Sequence, residues 1–359
     1  MKFKTNISLY DYTLPVISYE KSFLIPKHTF LELLNLKNIE SLKRSLISYY
    51  PKLREIVSPI NLEQMHFILH EDFIEKVYKI IHSSPNNTIP FLMNFLLEFE
   101  IENLKTILRS KLINKTASEI EDKIHWSVEA LLDNKELFNN LLKKTDLNSI
   151  FNLLNVSIYG EFIQKAAKRN QSTNSLLYIN TFLDQGLIIL MKRSVDNLKG
   201  IDKNIASQYL NLLTYYFNFT ILFRGMSFNL EKDEIFEFLI PNSSTKLQKV
   251  FNQLLSSDDL SNVLTYIKYK DLRGISSFLN FPDSINSYLD ILNQIDRNFY
   301  EKCLRLVKKI SIKSPFSLNS PLTFILLKKF QFKDLIQIST GIEYNLSKDA
   351  ILKRTILLQ

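Results

Sequence analysis

Few residues in this chain are of a type and spacing that could do chemistry. His66 and His70 stand four apart, with Glu71 and Asp72 next in line. On a helix that spacing turns two imidazoles to one side, as a metal site requires. A catalytic zinc takes a third protein ligand, and the adjoining sequence supplies none. With Phe67 and Ile68 between them, the pair reads as half-exposed structural histidines. Glu98, Glu100 and Glu102 make an acidic cluster. General acid–base work needs carboxyls whose surroundings push their pKa values apart. Alternation scatters these three around a helix, and Lys105 follows Glu102 in helical register, so a solvated charged face is expected. Cys303 is the only cysteine and lies in an amphipathic stretch without a nearby histidine. It offers no disulfide framework and no zinc cluster. The six glycines are isolated, and neither a phosphate-binding loop nor a G-x-S-x-G elbow occurs. No catalytic, cofactor-binding or metal-ligating residue is therefore assigned, and no cofactor is expected.

What the sequence does carry is repetition. Sliding Phe99–Ile120 by 115 places Arg109 on Arg224, Asn114 on Asn229 and Ile120 on Ile235 without a gap. A further 116 lays Arg224–Ile235 over Thr340–Ile351 with six identities in twelve columns, against roughly one from background composition. The identities are Gly225/Gly341, Asn229/Asn345, Leu230/Leu346, Lys232/Lys348, Asp233/Asp349 and Ile235/Ile351. The unit begins as a helix with an apolar face at Leu97, Ile101, Leu104 and Leu108 and a charged face at Glu98, Glu102, Lys105 and Arg109. The buried register persists as Ile101/Tyr216/Phe332, Leu104/Phe219/Leu335 and Ile107/Leu222/Ile338. Gly225 and Gly341 are expected to end that helix in the left-handed conformation, and Ser110 to let the first copy run a turn longer. Thr116 to Glu119 has the form of a capping box opening a second helix. Asn103, Asn218 and Asp334 align, as do Arg109, Arg224 and Thr340. These are read as structural, the polar set tying the helix break to its neighbour.

Scarce glycine and the absence of proline between Pro90 and Pro241 predict an all-α chain. Three copies predict three domains, 1–122, 123–240 and 241–359, each of ordinary domain size. The formal charge of +8 is spread among 37 acids. Nucleic-acid binding needs a concentrated basic face, so it is not expected. Met1–Leu9 lacks the apolar core of a signal peptide, and Gly186–Met191 and Leu212–Phe223 are too short or polar to span a bilayer, so a soluble protein is expected.

In order, short helices are predicted at Thr29–Leu36 and Ile39–Tyr49, and a longer one capped by Asn61 with Gln64. Ser83–Pro90 reads as a turn and Arg169–Ser175 as a loop. Helices follow around Leu176–Val195, Ile205–Arg224 and Asp283–Ile310, with a breaker-rich loop at Ser311–Pro321.

The run Glu102-Asn103-Leu104-Lys105-Thr106-Ile107-Leu108-Arg109 resembles the signature of the C subunits of archaeal A-type ATP synthases, the counterparts of the d subunits in V-type ATPases. Phe332-Lys333-Asp334-Leu335-Ile336, with Gly341 to Leu346, is similar to that family's closing repeat. Asn218-Phe219-Thr220 and Lys333-Asp334 depart from the Asn-Leu-Lys pattern. The resemblance implies three similar helical domains in a pseudo-threefold funnel. It implies a non-catalytic rotor part, peripheral on the cytoplasmic face of the membrane. There it would cap the proteolipid c/K ring, hold the D and F subunits of the central shaft and pass torque between them. The competing expectation is an all-helical repeat scaffold for an unrelated partner.

Overall fold

A computed structural model describes residues 7–57, 59–173, 176–241, 245–257, 259–269, 278–282, 284–311 and 315–358. Among these the chain is all-α, without a strand. Six long helices carry the architecture: α1 (Leu62–Ser83), α2 (Ile89–Leu112), α3 (Leu176–Asp196), α4 (Gly200–Ser227), α5 (Tyr288–Ser311) and α6 (Asn319–Glu343). Asn61 and Gln64 form the expected capping box at the start of α1. Prolines enter only where a helix tolerates them: Pro90 in the first turn of α2 and Pro321 in that of α6.

The long helices pack in a closed circuit. Each touches the next, α1 on α2 through to α5 on α6, and α6 returns to α1. Side chains from different copies of the repeat meet inside that circuit. Phe95 of α2 packs on Tyr209 of α4, ring centroids 5.6 Å apart. Lys329 Nζ of α6 lies 2.5 Å from Glu98 Oε2 of α2. Positions 98 and 329 are the same column of the repeat, since the shifts of 115 and 116 sum to 231. The circuit is tied off at the start of α4, where Asp202 accepts hydrogen bonds from Tyr10 OH (3.1 Å) and the Leu318 amide (2.7 Å). One apolar core runs through all six helices, with Phe91, Phe95, Phe182, Phe219 and Leu335 fully buried.

Several boundaries differ from expectation. The short N-terminal helices are Lys27–Leu33 and Ile39–Leu46. Residues up to Thr173 belong to the Gly160–Thr173 helix, so that part of the predicted loop is helical; 174–175 lie outside the described residues. Polar composition alone misleads there, because Phe162, Ile163 and Ala166 bury the helix's inner face. Helix α5 starts at Tyr288, and Asp283 lies outside the described residues. Of the predicted Ser311–Pro321 loop, 312–314 lie outside them and 319–321 are the first turn of α6.

Candidate functional site: helix elbows and a charged lumen

Each of α2, α4 and α6 ends in the same elbow. The asparagine one residue past the cap takes a left-handed conformation, φ 55° at Asn114, 53° at Asn229 and 52° at Asn345. The next amide reaches back five residues: Lys115 to the Ser110 carbonyl (3.0 Å), Leu230 to Gly225 (2.9 Å) and Leu346 to Gly341 (2.8 Å). With the asparagine amide bonding three residues back, this is the Schellman closure of a helix. Asparagine tolerates the left-handed region better than other residues with a Cβ, through its short polar side chain.

This corrects the expected place of the glycines. Gly225 and Gly341 lie inside α4 and α6, buried, before the left-handed residue. A Cβ at 225 would stand 2.5 Å from Ile235 Cγ1, and one at 341 would stand 2.5 Å from Ile351 Cγ1. Glycine is needed because the returning short helix, Lys232–Phe238 or Lys348–Leu352, drives an isoleucine against the long one. The first copy has the small, buried Ser110 here, and α2 ends at Leu112, level with the others rather than a turn later. Its returning helix, Ala117–Glu121, opens with the expected capping box between Thr116 and Glu119.

The aligned polar set clasps chain well beyond the break. Asn103 Oδ1 accepts from the His125 amide (3.0 Å) and its Nδ2 donates to the His125 carbonyl (3.2 Å). Asn218 does the same to Ile240, accepting at 2.8 Å and donating at 3.1 Å. Asp334 accepts two amides, Ile356 at 2.6 Å and Leu357 at 2.8 Å. All three side chains are buried, and each reaches 22 residues downstream. The choice of residue follows from the target. Where the clasped residue offers both N–H and C=O, an amide side chain matches it; where two N–H groups arrive, a carboxylate does. Burial pushes Asp334 up to about 6, against the pull of its two donors.

Inside the circuit lies a cavity of about 390 Å³ lined from α2 to α6. Its wall is a second aligned stripe, here with divergent chemistry. Equivalent positions are Glu98/Leu213/Lys329, Glu102/Phe217/Lys333 and Lys105/Thr220/Ile336. All but Ile336 face this cavity, and Ile336 faces an adjoining one of about 900 Å³ that shares Tyr300 and Lys333 with it. The larger cavity carries Arg297, Lys353 and Arg354. Lys105 Nζ pairs with Asp184 of α3 (2.5 Å) and Glu102 (2.7 Å). Burial would lower the Lys105 ammonium, but those two carboxylates hold it raised. Burial would raise Glu98, and Lys329 overrides it to keep the carboxyl below its ordinary value. Lys333 bonds Tyr300 OH. Thr220 Oγ1 and Asn180 Oδ1, on residues that line the cavity, meet no hydrogen-bond partner among the described residues.

The remaining candidates resolve separately. Glu102 is exposed as expected, but Glu100 is fully buried between Asn134 and Tyr159, and Lys105 is buried too, so the solvated face is only partly that. His66 meets Ser339 Oγ at 2.8 Å. His70 stacks on His125 at 4.7 Å and burial lowers it to about 3, which keeps the imidazole neutral. Among the described residues no three His, Cys, Asp or Glu side chains are arranged to hold a metal. Cys303 is buried in α5 and pushed up to about 12 by burial, far from a reactive thiolate. Arg109 and Arg224 are exposed, Thr340 is half-buried, and Arg224 borders the lumen. Sequence reasoning misses Asp184, Tyr159 and Glu129, which no local pattern marks. The Glu98–Lys329 pair does have a signal: the repeat puts both in one column with opposite charges.

A closed circuit of long helices, with Asn103, Asn218 and Asp334 spent on its own backbone, defines an all-α protein. Comparison of sequences gives the particular family. Residues 16–354 match the family described as ATP synthase (C/AC39) subunit, and the chain belongs to it. It is 22% identical over 356 residues to the A-type ATP synthase C subunit of Methanococcoides burtonii, covering 98% of this chain and 95% of that one. The corresponding protein of Methanosarcina barkeri is 23% identical over 362 residues, 99% and 95% of the two chains. That of Pyrococcus horikoshii is 21% identical over 360, 93% and 86%. Among the described residues no helix is long and apolar enough to cross a membrane.

Proposed function

We propose that the chain is the non-catalytic central-stalk component of a rotary A/V-type ATP synthase, a rotor part on the cytoplasmic face of the membrane. It joins the proteolipid c/K ring to the D and F subunits of the shaft and transmits torque between them. The reading treats 1–122, 123–240 and 241–359 as three helical modules arranged as a pseudo-threefold funnel, with Asn103, Arg109, Asn114 and their counterparts as its repeated framework. The observation that carries it is the return of α6 onto α1. A linear stack of repeats would leave its ends apart, whereas a closed circuit encloses an axis. The lumen supports the same reading, because its wall is acidic on α2, largely apolar on α4 and basic on α6, suiting an asymmetric axial partner.

Affinity purification of the tagged chain from native membranes tests this. Recovery of shaft and ring proteins together is expected, with the intact complex losing ATP-driven ion pumping when the chain is removed. Recovery with neither, in favour of an unrelated protein, would return the scaffold reading.

A further inference from the structure

The first elbow encloses a feature for which the repeat gives no counterpart. Glu100 of α2 and Glu129 of the Trp126–Leu131 helix are both completely buried. Position 100 becomes Tyr215 and Gln331 in the later copies, so the carboxyl is peculiar to the first. Glu100 Oε1 accepts from Asn134 Nδ2 (2.7 Å) and Oε2 from Tyr159 OH (2.9 Å). Glu129 Oε1 accepts from Asn103 Nδ2 (2.7 Å), while its Oε2 meets no donor among the described residues. Neighbouring charges are engaged elsewhere. On α2, Lys105 is paired with Asp184 and Glu102, and Lys111 donates to the Leu142 carbonyl of the Lys135–Lys143 helix. On α1, Glu71 accepts from Ser127 and faces His125. The titratable group facing the pair from the second module is Tyr159, a neutral donor. The Glu100 charge reaches Glu129 and pushes it up, so the two buried carboxylates carry a desolvation cost and a mutual repulsion that neutralisation of one removes.

We propose that Glu100 and Glu129 form a proton-binding joint between the first two modules, with Glu129 protonated on its donorless oxygen and the joint loosening when the protons leave. Glu100 ionises first, because two donors stabilise its anion; Glu129 has one. The pair then takes a second negative charge only by separating, and Asn103 bonds both Glu129 and the His125 backbone. Deprotonation therefore works directly on the clasp. Burial sets the scale, raising Glu100 to about 7; burial together with the Glu100 charge raises Glu129 to about 9. The two titrate as a coupled pair. Both folded values lie above the ordinary 4.5. The joint is thus firmest below that pH and weakens as pH rises through the two folded values.

Infrared spectroscopy and site-resolved hydrogen exchange on the full chain test this. At neutral pH a buried protonated-carboxyl stretch is expected, absent in Glu129→Gln. Between neutral pH and about pH 9, amides of 125–131 should gain about tenfold in exchange beyond the intrinsic rate, matching one pKa unit of differential interaction. Glu129→Gln should not show that gain. An unchanged infrared band or an unchanged gain in Glu129→Gln would overturn the proposal. If that variant does not fold, the wild-type band decides: its absence at neutral pH overturns the joint, and its presence, with a shift in Glu100→Gln, supports it.

Discussion

The elbows and the lumen stripe lie on the same three helices, and they have treated repetition in opposite ways. At the elbows the left-handed asparagine is identical three times and the clasp position is Asn, Asn and Asp. A few residues along the same helices, the lumen columns run Glu/Leu/Lys and Glu/Phe/Lys. The clasp side chains bond their own backbone 22 residues on, which arrives as one N–H and one C=O in two copies and as two N–H groups in the third, so a side chain of nearly one shape serves all three. The lumen side chains line one shared cavity, where identical charges would repel. Glu98 against Lys329 is possible only because the copies diverged. Residues that bond their own backbone stay alike, and residues that meet in the shared cavity differ.

Breaking the clasp gives the largest expected effect. Asn218→Leu would leave the Ile240 N–H and C=O buried without partners, at roughly 1–3 kcal/mol for each orphan. A loss of about 3–5 kcal/mol in urea unfolding, with an unchanged slope, is expected. Asp334→Asn should cost less, about 1–3 kcal/mol, since one N–H keeps an acceptor. If Asn218→Leu were as stable as wild type, the clasp would be incidental and the comparison would lose its first half.

Gly225→Val comes next. The added atoms would overlap Ile235, and overpacking of this kind costs about 1–3 kcal/mol. The companion Gly225→Val/Ile235→Ala should recover part of the loss, because space is returned where it was taken. Recovery is read from the thermal midpoints of the four proteins of the cycle. Smaller again is the left-handed asparagine: alanine keeps the Cβ but loses the short polar side chain that eases positive φ, so Asn229→Ala should cost less than the roughly 1–2 kcal/mol of a fully unrelieved left-handed residue, while Asn229→Gly, which removes the Cβ, should be neutral or stabilising.

How much of the molecule is legible in its sequence follows the same division. The helical class, the module and the elbow residues can be read, because local spacing and self-alignment carry them. Self-alignment also finds the right columns for the glycines, but not their reason: a glycine near a helix end suggests a cap, and only coordinates reveal an isoleucine pressing on it from ten residues away. The clasp target cannot be read either, since 22 intervening residues carry no mark of which backbone returns. Glu100 defeats the pattern because alternation assigns faces but not what covers them, and its cover, Asn134 and Tyr159, lies 34 and 59 residues on.

The smallest effect on stability should come from the lumen charges, and there the comparison is sharpest. Lys329 and Glu98 are partly exposed, with side chains 17% and 37% accessible, so their pairing is screened by solvent and contributes about 1 kcal/mol or less. Glu98→Leu/Lys329→Met should therefore unfold nearly as the wild type does. If the stripe exists to receive an axial partner, the same double variant should lose most of its recovery of shaft proteins while still recovering the ring. Exchanging the charges, Glu98→Lys with Lys329→Glu, separates two causes. It keeps the internal pair but reverses the field each side presents to the axis. Recovery restored by the exchange would mean that the pair matters only as a brace for α2 against α6. Recovery still lost, in a protein as stable as wild type, would mean that the lumen is read by its polarity, side by side, as a wall with three unlike faces.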